Sequence, residues 1–180
     1  MIVSIALDID NTLFRSFEYW KTIALKEGVI GDFSKEYNGI YKVRCSDGVI
    51  FADKLFGRYR DEWISGAEPY KEVESFIKSI NNNDSIKYYI VTSRNSDVKE
   101  QTLAKLAKHN ITGFEDVLFL QDKTQAPCNT AVDDHSKHVK AYTNKSRLAY
   151  LLDRPYNQDC TVGRRVNNLN EVYQNLLQWI

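Results

Sequence analysis

Short apolar runs alternate with amphipathic stretches along most of the chain. Residues 2–7, Ile-Val-Ser-Ile-Ala-Leu, are a β-prone run that predicts a buried strand. Further runs at 86–91, 117–120, 130–132 and 148–152 predict four more. Between them the period changes from two to about 3.6. Pro69 is placed to open a helix reaching Ile80, with Val73, Phe76, Ile77 and Ile80 on one face. Asn81 to Asp84 reads as a turn. Asp97 is a candidate cap for a helix to Lys108 that turns Leu103, Leu106 and Ala107 inward. Residues 136–142 and 169–179 predict two further helices. The stretch 18–66 differs. Phe17, Tyr19, Trp20, Ile23, Ala24 and Leu25 predict a helix that stops near Gly28, after which glycines and aromatics scatter without strand–helix alternation.

Strands alternating with helices at this spacing predict an α/β fold, a three-layer sandwich around a parallel, doubly wound sheet. Residues 1–17 and 67–180 would form this core, and 18–66 a small insertion. Parallel sheets bind ligands beyond the carboxyl ends of their strands, so the polar residues that follow each apolar run are the ones to inspect.

Four of those five places carry notable chemistry. After the first run come Asp8, Asp10, Asn11 and Thr12. Two carboxylates two residues apart can share a hard cation such as Mg²⁺, and Asp8 can attack phosphorus while Asp10 protonates a leaving oxygen. An Asp-x-Asp at a strand end also serves plain turn-forming purposes. After the second run, the hydroxyls of Thr92 and Ser93 can bond a phosphoryl oxygen and Arg94 can grip it bidentately, or Thr92 and Ser93 merely begin the next helix. After the third, Lys123 can neutralise charge that builds during phosphoryl transfer. After the fourth, Asp133 and Asp134 can complete a magnesium site. Each signal has an ordinary structural explanation. Their order, acid pair, hydroxyl, lysine, acid pair, describes an in-line phosphoryl-transfer site.

Composition narrows the class. The chain has 180 residues with Lys+Arg and Asp+Glu both at 24, so it lacks the basic excess with which proteins track long nucleic acid. No apolar run approaches the roughly 20 residues that span a bilayer. Cys45, Cys128 and Cys160 are odd in number and form no CxxC, which predicts free thiols in a reducing, cytoplasmic setting. His135 and His138 open a predicted helix with no metal-ligand spacing, and Asp153 and Arg154 after the fifth run are candidates for the site's rim.

The quoted residues resemble the haloacid dehalogenase superfamily. DIDNTL (8–13) is similar to its first motif, IVTSR (90–94) to its second, LQDK (120–123) supplies the lysine and AVDD (131–134) the closing acids. The resemblance implies Asp8 as nucleophile and Asp10 as acid/base, with its main-chain carbonyl helping to bind Mg²⁺. It implies Thr92 and Lys123 on the phosphate, and Asp133 or Asp134 on the metal. Dehalogenase members lack the second acid that phosphatases have, so Asp10 points to a phosphatase. A narrower resemblance links 119–135 to 5′(3′)-deoxyribonucleotidases and LLDRPYNQ (151–158) to bacterial and phage nucleotidase-like members. Those enzymes usually read DMDGV, where this chain has Asn11 in the glycine's place, a residue that accepts unusual backbone angles better than most. The insertion then resembles a small, mainly helical cap. Its aromatics supply either a face on which a nucleobase stacks or the cap's own core, Phe17 being the best stacking candidate. The expected substrate is a small phosphate monoester, first a (deoxy)nucleoside monophosphate. A nucleic-acid 3′ end, a sugar phosphate and a silent nucleotide-binding module are the alternatives.

Overall fold

A computed structural model describes residues 2–33 and 35–180. The core is a six-stranded parallel sheet of β1 (Val3–Leu7), β2 (Ile86–Thr92), β3 (Val117–Phe119), β4 (Thr130–Asp133), β5 (Leu148–Leu152) and β6 (Arg164–Val166), in the order β3-β2-β1-β4-β5-β6. Side chains alternate across it. One face carries Ile5, Leu7, Tyr88, Ile90, Val132, Tyr150 and Leu152 beneath α4 (Val73–Asn81), α7 (Leu169–Leu176) and the Leu106 side of α5 (Lys99–Lys108). The other carries Ala6, Val91, Ala131, Ala149 and Leu151 beneath α6 (Ser136–Asn144), which contributes Val139 and Tyr142. Helices on both faces make the predicted three-layer sandwich.

The chain runs outward from β1 through β2 to β3, then returns to place β4 on the other side of β1. Two neighbouring loops therefore leave the sheet in opposite directions at the β1/β4 seam and open a crevice there. The loops after β1 and β4 carry the two acid pairs.

Residues 16–66 form α1 (Ser16–Lys26), a 3₁₀ turn at Tyr37–Tyr41, α2 (Phe51–Phe56) and α3 (Arg60–Gly66). They enclose an apolar cluster of their own built on Trp20, Ile23, Phe33, Phe51, Leu55 and Trp63, which Val98 and Tyr156 join from outside the segment.

The sequence expectations need four adjustments. The helix placed from Pro69 begins at Val73, because Phe14 and Pro69 pair as an antiparallel bridge and the Tyr70 amide donates to the Leu13 carbonyl at 3.0 Å, holding 68–70 extended. Asp97 lies in a 3₁₀ turn, Ser96–Val98, and accepts from Arg60 at 2.7 Å rather than capping α5. Ala107 is exposed, and the inward face of α5 is Thr102, Lys105 and Leu106. The final helix ends at Leu176.

Candidate active site

The loop after β1 is built to hold one shape. Asp8 donates its amide to the Val132 carbonyl at 3.1 Å, extending the β1–β4 ladder into the acid itself. Leu13 and Phe14 donate to the Ile9 carbonyl at 2.9 and 3.0 Å, closing a tight turn. Asn11 sits in that turn with φ 59°, the left-handed region that glycine adopts freely and that asparagine, standing here in the glycine's place, tolerates better than most residues. Its Oδ1 accepts from the Phe17 amide at 2.6 Å, which ties the turn to the start of α1. Arg154 Nε donates to the Asn11 carbonyl at 2.9 Å and its guanidinium lies 4.3 Å from the centre of the Tyr70 ring.

This frame gathers Asp8, Asp133 and Asp134, each with a carboxylate oxygen within 4.8 Å of the others, all buried. Lys123 enters between them, donating to Asp8 Oδ1 at 2.5 Å and Asp133 Oδ2 at 2.7 Å. Asp134 accepts from the Tyr156 hydroxyl at 2.6 Å, and its main-chain carbonyl accepts from Asn157 Nδ2 at 2.8 Å. Three carboxylates against one ammonium leave an excess of negative charge in a low-dielectric place. Burial pushes the Asp8 carboxyl up to about 6, with repulsion from Asp133 and Asp10 adding to it and Lys123 opposing. Burial, then Asp133 and Asp8, push Asp134 up as well. Lys123 stays charged: burial works against it, but Asp133 and Asp8 hold its pKa above the usual lysine range. Buried oxygen donors with uncompensated charge are the donor set that a hard divalent cation requires.

Asp10 is arranged differently. Arg94 grips it through Nε to Oδ2 at 2.8 Å and Nη2 to Oδ1 at 2.7 Å, and Ser16 Oγ adds a bond to Oδ1 at 2.6 Å. Burial raises its pKa, but the Arg94 charge, the Arg94 bonds and the Ser16 bond outweigh burial and hold the carboxyl below the usual range.

These groups open into a cleft of about 370 Å³. One wall is Trp20, Phe56 and Trp63, in edge contacts 5.5–6.2 Å apart, with Tyr41 alongside. The other is Ser93, Gln121, His135 and His138. His138 lies 3.4 Å from Ser93 Oγ, and burial with the Lys123 charge pushes its pKa down to about 3, so the ring is neutral.

The expected residues Asp8, Asp10, Thr92, Ser93, Arg94, Lys123, Asp133 and Asp134 all line this cleft. Four expectations are corrected. Phe17 is buried against Trp20, Phe33 and Tyr156, so it belongs to an apolar core rather than to a stacking face. Asn11 and Thr12 are fully buried; Asn11 shapes the turn and Thr12 points its hydroxyl toward Asp134 at 3.5 Å. The Arg94 fork is engaged with Asp10 instead of facing outward for a phosphate. The Asp10 carboxylate, held by Arg94, stands apart from the cluster of Asp8, Asp133 and Asp134. The sequence reading missed Tyr156 and Asn157 as partners of Asp134, although both lie in the LLDRPYNQ signature.

The geometry now has relatives to set beside it. The family model described as "5′ nucleotidase, deoxy (Pyrimidine), cytosolic type C protein" matches residues 50–179, including the stretches that carry Thr92, Lys123 and the Asp133–Asp134 pair. The chain belongs to this family. It is thus a phosphatase of nucleotidase type with the haloacid dehalogenase fold. No curated protein is matched by sequence. Among solved structures, a haloacid dehalogenase-like hydrolase from Streptococcus pneumoniae superposes with a TM-score of 0.69 at 12% identity, covering 97% of this chain and 98% of that one. A HAD-hydrolase from Bacillus subtilis bound to magnesium gives 0.64 at 14% identity, with 98% and 99% covered. A HAD phosphatase from Thermococcus onnurineus gives 0.59 at 14% identity, with 98% of each covered. At these identities the likeness establishes the fold, and this nucleotidase-family chain shares it over nearly its whole length.

Proposed function

We propose that the chain hydrolyses a (deoxy)nucleoside monophosphate through an aspartyl-phosphate on Asp8. The observation that carries the reading is the placing of Asp8. It is buried at a fixed strand end, bonded to Lys123, beside two more acids, and at the floor of a cleft with one aromatic wall. The cleft volume suits a small molecule. In the first half-reaction Asp8 attacks phosphorus, the bond to the leaving oxygen breaks, and that oxygen takes a proton from Asp10. In the second, water attacks the phosphorus, gives its proton to Asp10, and the Asp8–phosphorus bond breaks to release inorganic phosphate. Lys123 offsets charge on the phosphoryl oxygens, and Thr92 offers them a hydroxyl. Asp10 is ionised as it stands, the form that takes a proton from water. A bound phosphate brings negative charge beside it, which favours the protonated form needed in the first step.

Asp8, Asp133 and Asp134 would hold Mg²⁺, which supplies positive charge against which a phosphate can approach a carboxylate nucleophile. The carbonyl of Asp10 is a further candidate ligand. Segment 18–66 serves as a cap over the core of 1–17 and 67–180, its aromatic wall from Trp20, Phe56 and Trp63 offering a nucleobase a surface. The family's description favours a pyrimidine deoxynucleotide and a cytosolic setting, which suits the three buried free thiols. No described helix is long and apolar enough to cross a membrane.

The test is phosphate release from nucleoside 5′- and 3′-monophosphates, sugar phosphates and a 3′-phosphorylated oligonucleotide, each with Mg²⁺ and with EDTA. Magnesium-dependent release that favours mononucleotides is expected. Asp8→Asn should abolish it while leaving the fold intact, and turnover retained by that variant would sink the mechanism.

A further inference from the structure

We propose that Arg94 is a positioning residue for Asp10, aiming its carboxylate at the leaving group, and that it does not bind the phosphate itself. The inference rests on the proposed phosphatase mechanism and goes beyond it. Each of the three guanidinium nitrogens donates to the protein: Nε and Nη2 to the two oxygens of Asp10, and Nη1 to Thr102 Oγ1 at 3.0 Å. The guanidinium plane lies 5.1 Å from the centre of the Trp63 ring, and the side chain is only 5% exposed. An arginine meant for a phosphate would keep its fork open to the cleft. Here the fork is closed on Asp10, and the guanidinium is held among the β1 loop, α5 and α3.

A planar fork with two parallel bonds fixes a carboxylate in rotation as well as in place, which a lysine's single point charge cannot do. Thr102 and Trp63 fix the fork in turn. Misplacing a proton-transferring group by even about 1 Å can cost on the order of 10²-fold in rate. Trp63 also belongs to the aromatic wall of the cleft, so the brace that sets Asp10 is continuous with the surface that meets the substrate.

The leaving group separates this role from phosphate binding. A nucleoside alkoxide needs a proton to depart, whereas p-nitrophenolate does not. kcat/KM reports only the steps up to the phospho-enzyme, where this difference acts. For Arg94→Met we expect kcat/KM on a nucleoside 5′-monophosphate to fall roughly 10²-fold, carried by kcat, while that on p-nitrophenyl phosphate stays within about threefold. Arg94→Lys should recover little, because it restores charge without the fork. Thr102→Val, which removes only the brace behind the guanidinium, should show the same selective loss at smaller size. In an Asp10→Asn background, Arg94→Met should cost nothing further. Equal losses on both substrates with a raised KM would overturn the proposal in favour of phosphate binding. Equal losses with a lowered melting temperature would reduce Arg94 to a structural role, and a gain on the nucleotide would mean that it restrains Asp10. If the unaltered chain releases phosphate from neither substrate, the phosphatase reading fails first and takes this one with it.

Discussion

Lys105 should make the protein less stable than it would be with a methionine in its place. It lies on the inward face of α5, 3% exposed, with no hydrogen-bond partner for Nζ among the described residues and its ammonium 4.2 Å from the centre of the Phe14 ring. Burial, helped by the Arg94 charge and opposed by Asp10, pulls its pKa from the ordinary 10.5 down to about 7. At about 1.4 kcal/mol per pH unit, that displacement sets a ceiling near 5 kcal/mol on the cost of keeping it charged. Relaxation and water penetration lower such costs, so about 2 kcal/mol is the working figure. Lys105→Met keeps the unbranched stem and sets a polarisable sulfur against Phe14. The expected gain at pH 7 is therefore about 2 kcal/mol, or roughly 6 °C in melting temperature for a chain of this length.

The pH dependence is the sharper readout. Below pH 7 the lysine is charged folded and unfolded, and the full penalty applies. From pH 7 to 10.5 the unfolded chain holds a proton that the folded chain has released, so parent stability rises with pH while the variant lacks this rise. The gap between them should be widest at or below pH 7 and shrink toward pH 10.5. Urea titrations of both proteins at pH 6.5, 8 and 9.5 in EDTA measure it, since the other titrating groups cancel in the difference. A variant less stable than its parent, or a gap that does not change with pH, would refute the argument.

Other outcomes follow from the site. Mg²⁺ should raise the melting temperature, and its affinity should weaken as pH falls through about 6, where the Asp8 carboxyl takes up a proton; isothermal titration at pH 5.5 and 7.5 reads both. Asp134→Asn should stabilise the protein in EDTA, because it relieves repulsion with Asp133 and Asp8, while reducing or removing the stabilisation by Mg²⁺; thermal melts with and without metal separate the two. Tyr156→Phe removes the hydroxyl that orients Asp134 and should weaken Mg²⁺ binding roughly 10- to 100-fold with little change in fold, seen by titration and circular dichroism. Asn11→Ala places a Cβ-bearing residue without a turn-forming side chain at φ 59° and removes the bond to Phe17, so it should cost on the order of 1–2 kcal/mol in denaturant titration, and Asn11→Gly less.

How far the sequence could be read depends on whether a feature is set locally or by the packing of distant parts. Apolar runs marked five of the six strands because each buried strand must be apolar over its length. The sixth, Arg164–Val166, escaped notice: it is an edge strand of three residues, two of them exposed arginines, with nothing periodic to detect. The acids and the lysine of the site were legible because a parallel sheet delivers every strand's end to the same edge. That rule converts order along the chain into proximity in space. Side-chain direction follows no such rule. The place of Arg94 after a strand end points to a phosphate, yet its direction is set by Asp10 across 84 positions and by Thr102 on another element. Phe17 lies beside the nucleophile loop in sequence, but the bond from its amide to Asn11 turns the helix so that its ring enters the core. Lys105 took an inward position that helical spacing alone would assign to an apolar residue.

Charge explains why the site divides as it does. Six acids and bases of the cleft fall into two groups with different charge balance, Asp10 with Arg94 and Lys123 with Asp8, Asp133 and Asp134. Asp10 and Arg94 neutralise each other, so the charge of this pair is balanced without any further partner. Asp8, Asp133 and Asp134 outnumber Lys123, and burial with this crowding raises the pKa values of Asp8 and Asp134. The neutral pair is suited to a task that demands a fixed direction, and the overcharged cluster to one that demands a cation and then a phosphate. A sequence shows four aspartates in two similar pairs. It is the arginine bonded to one of them and the lysine lodged among the other three that give the pairs different chemistry. Exchanging those partners, rather than the acids, is therefore the change expected to confuse the two roles.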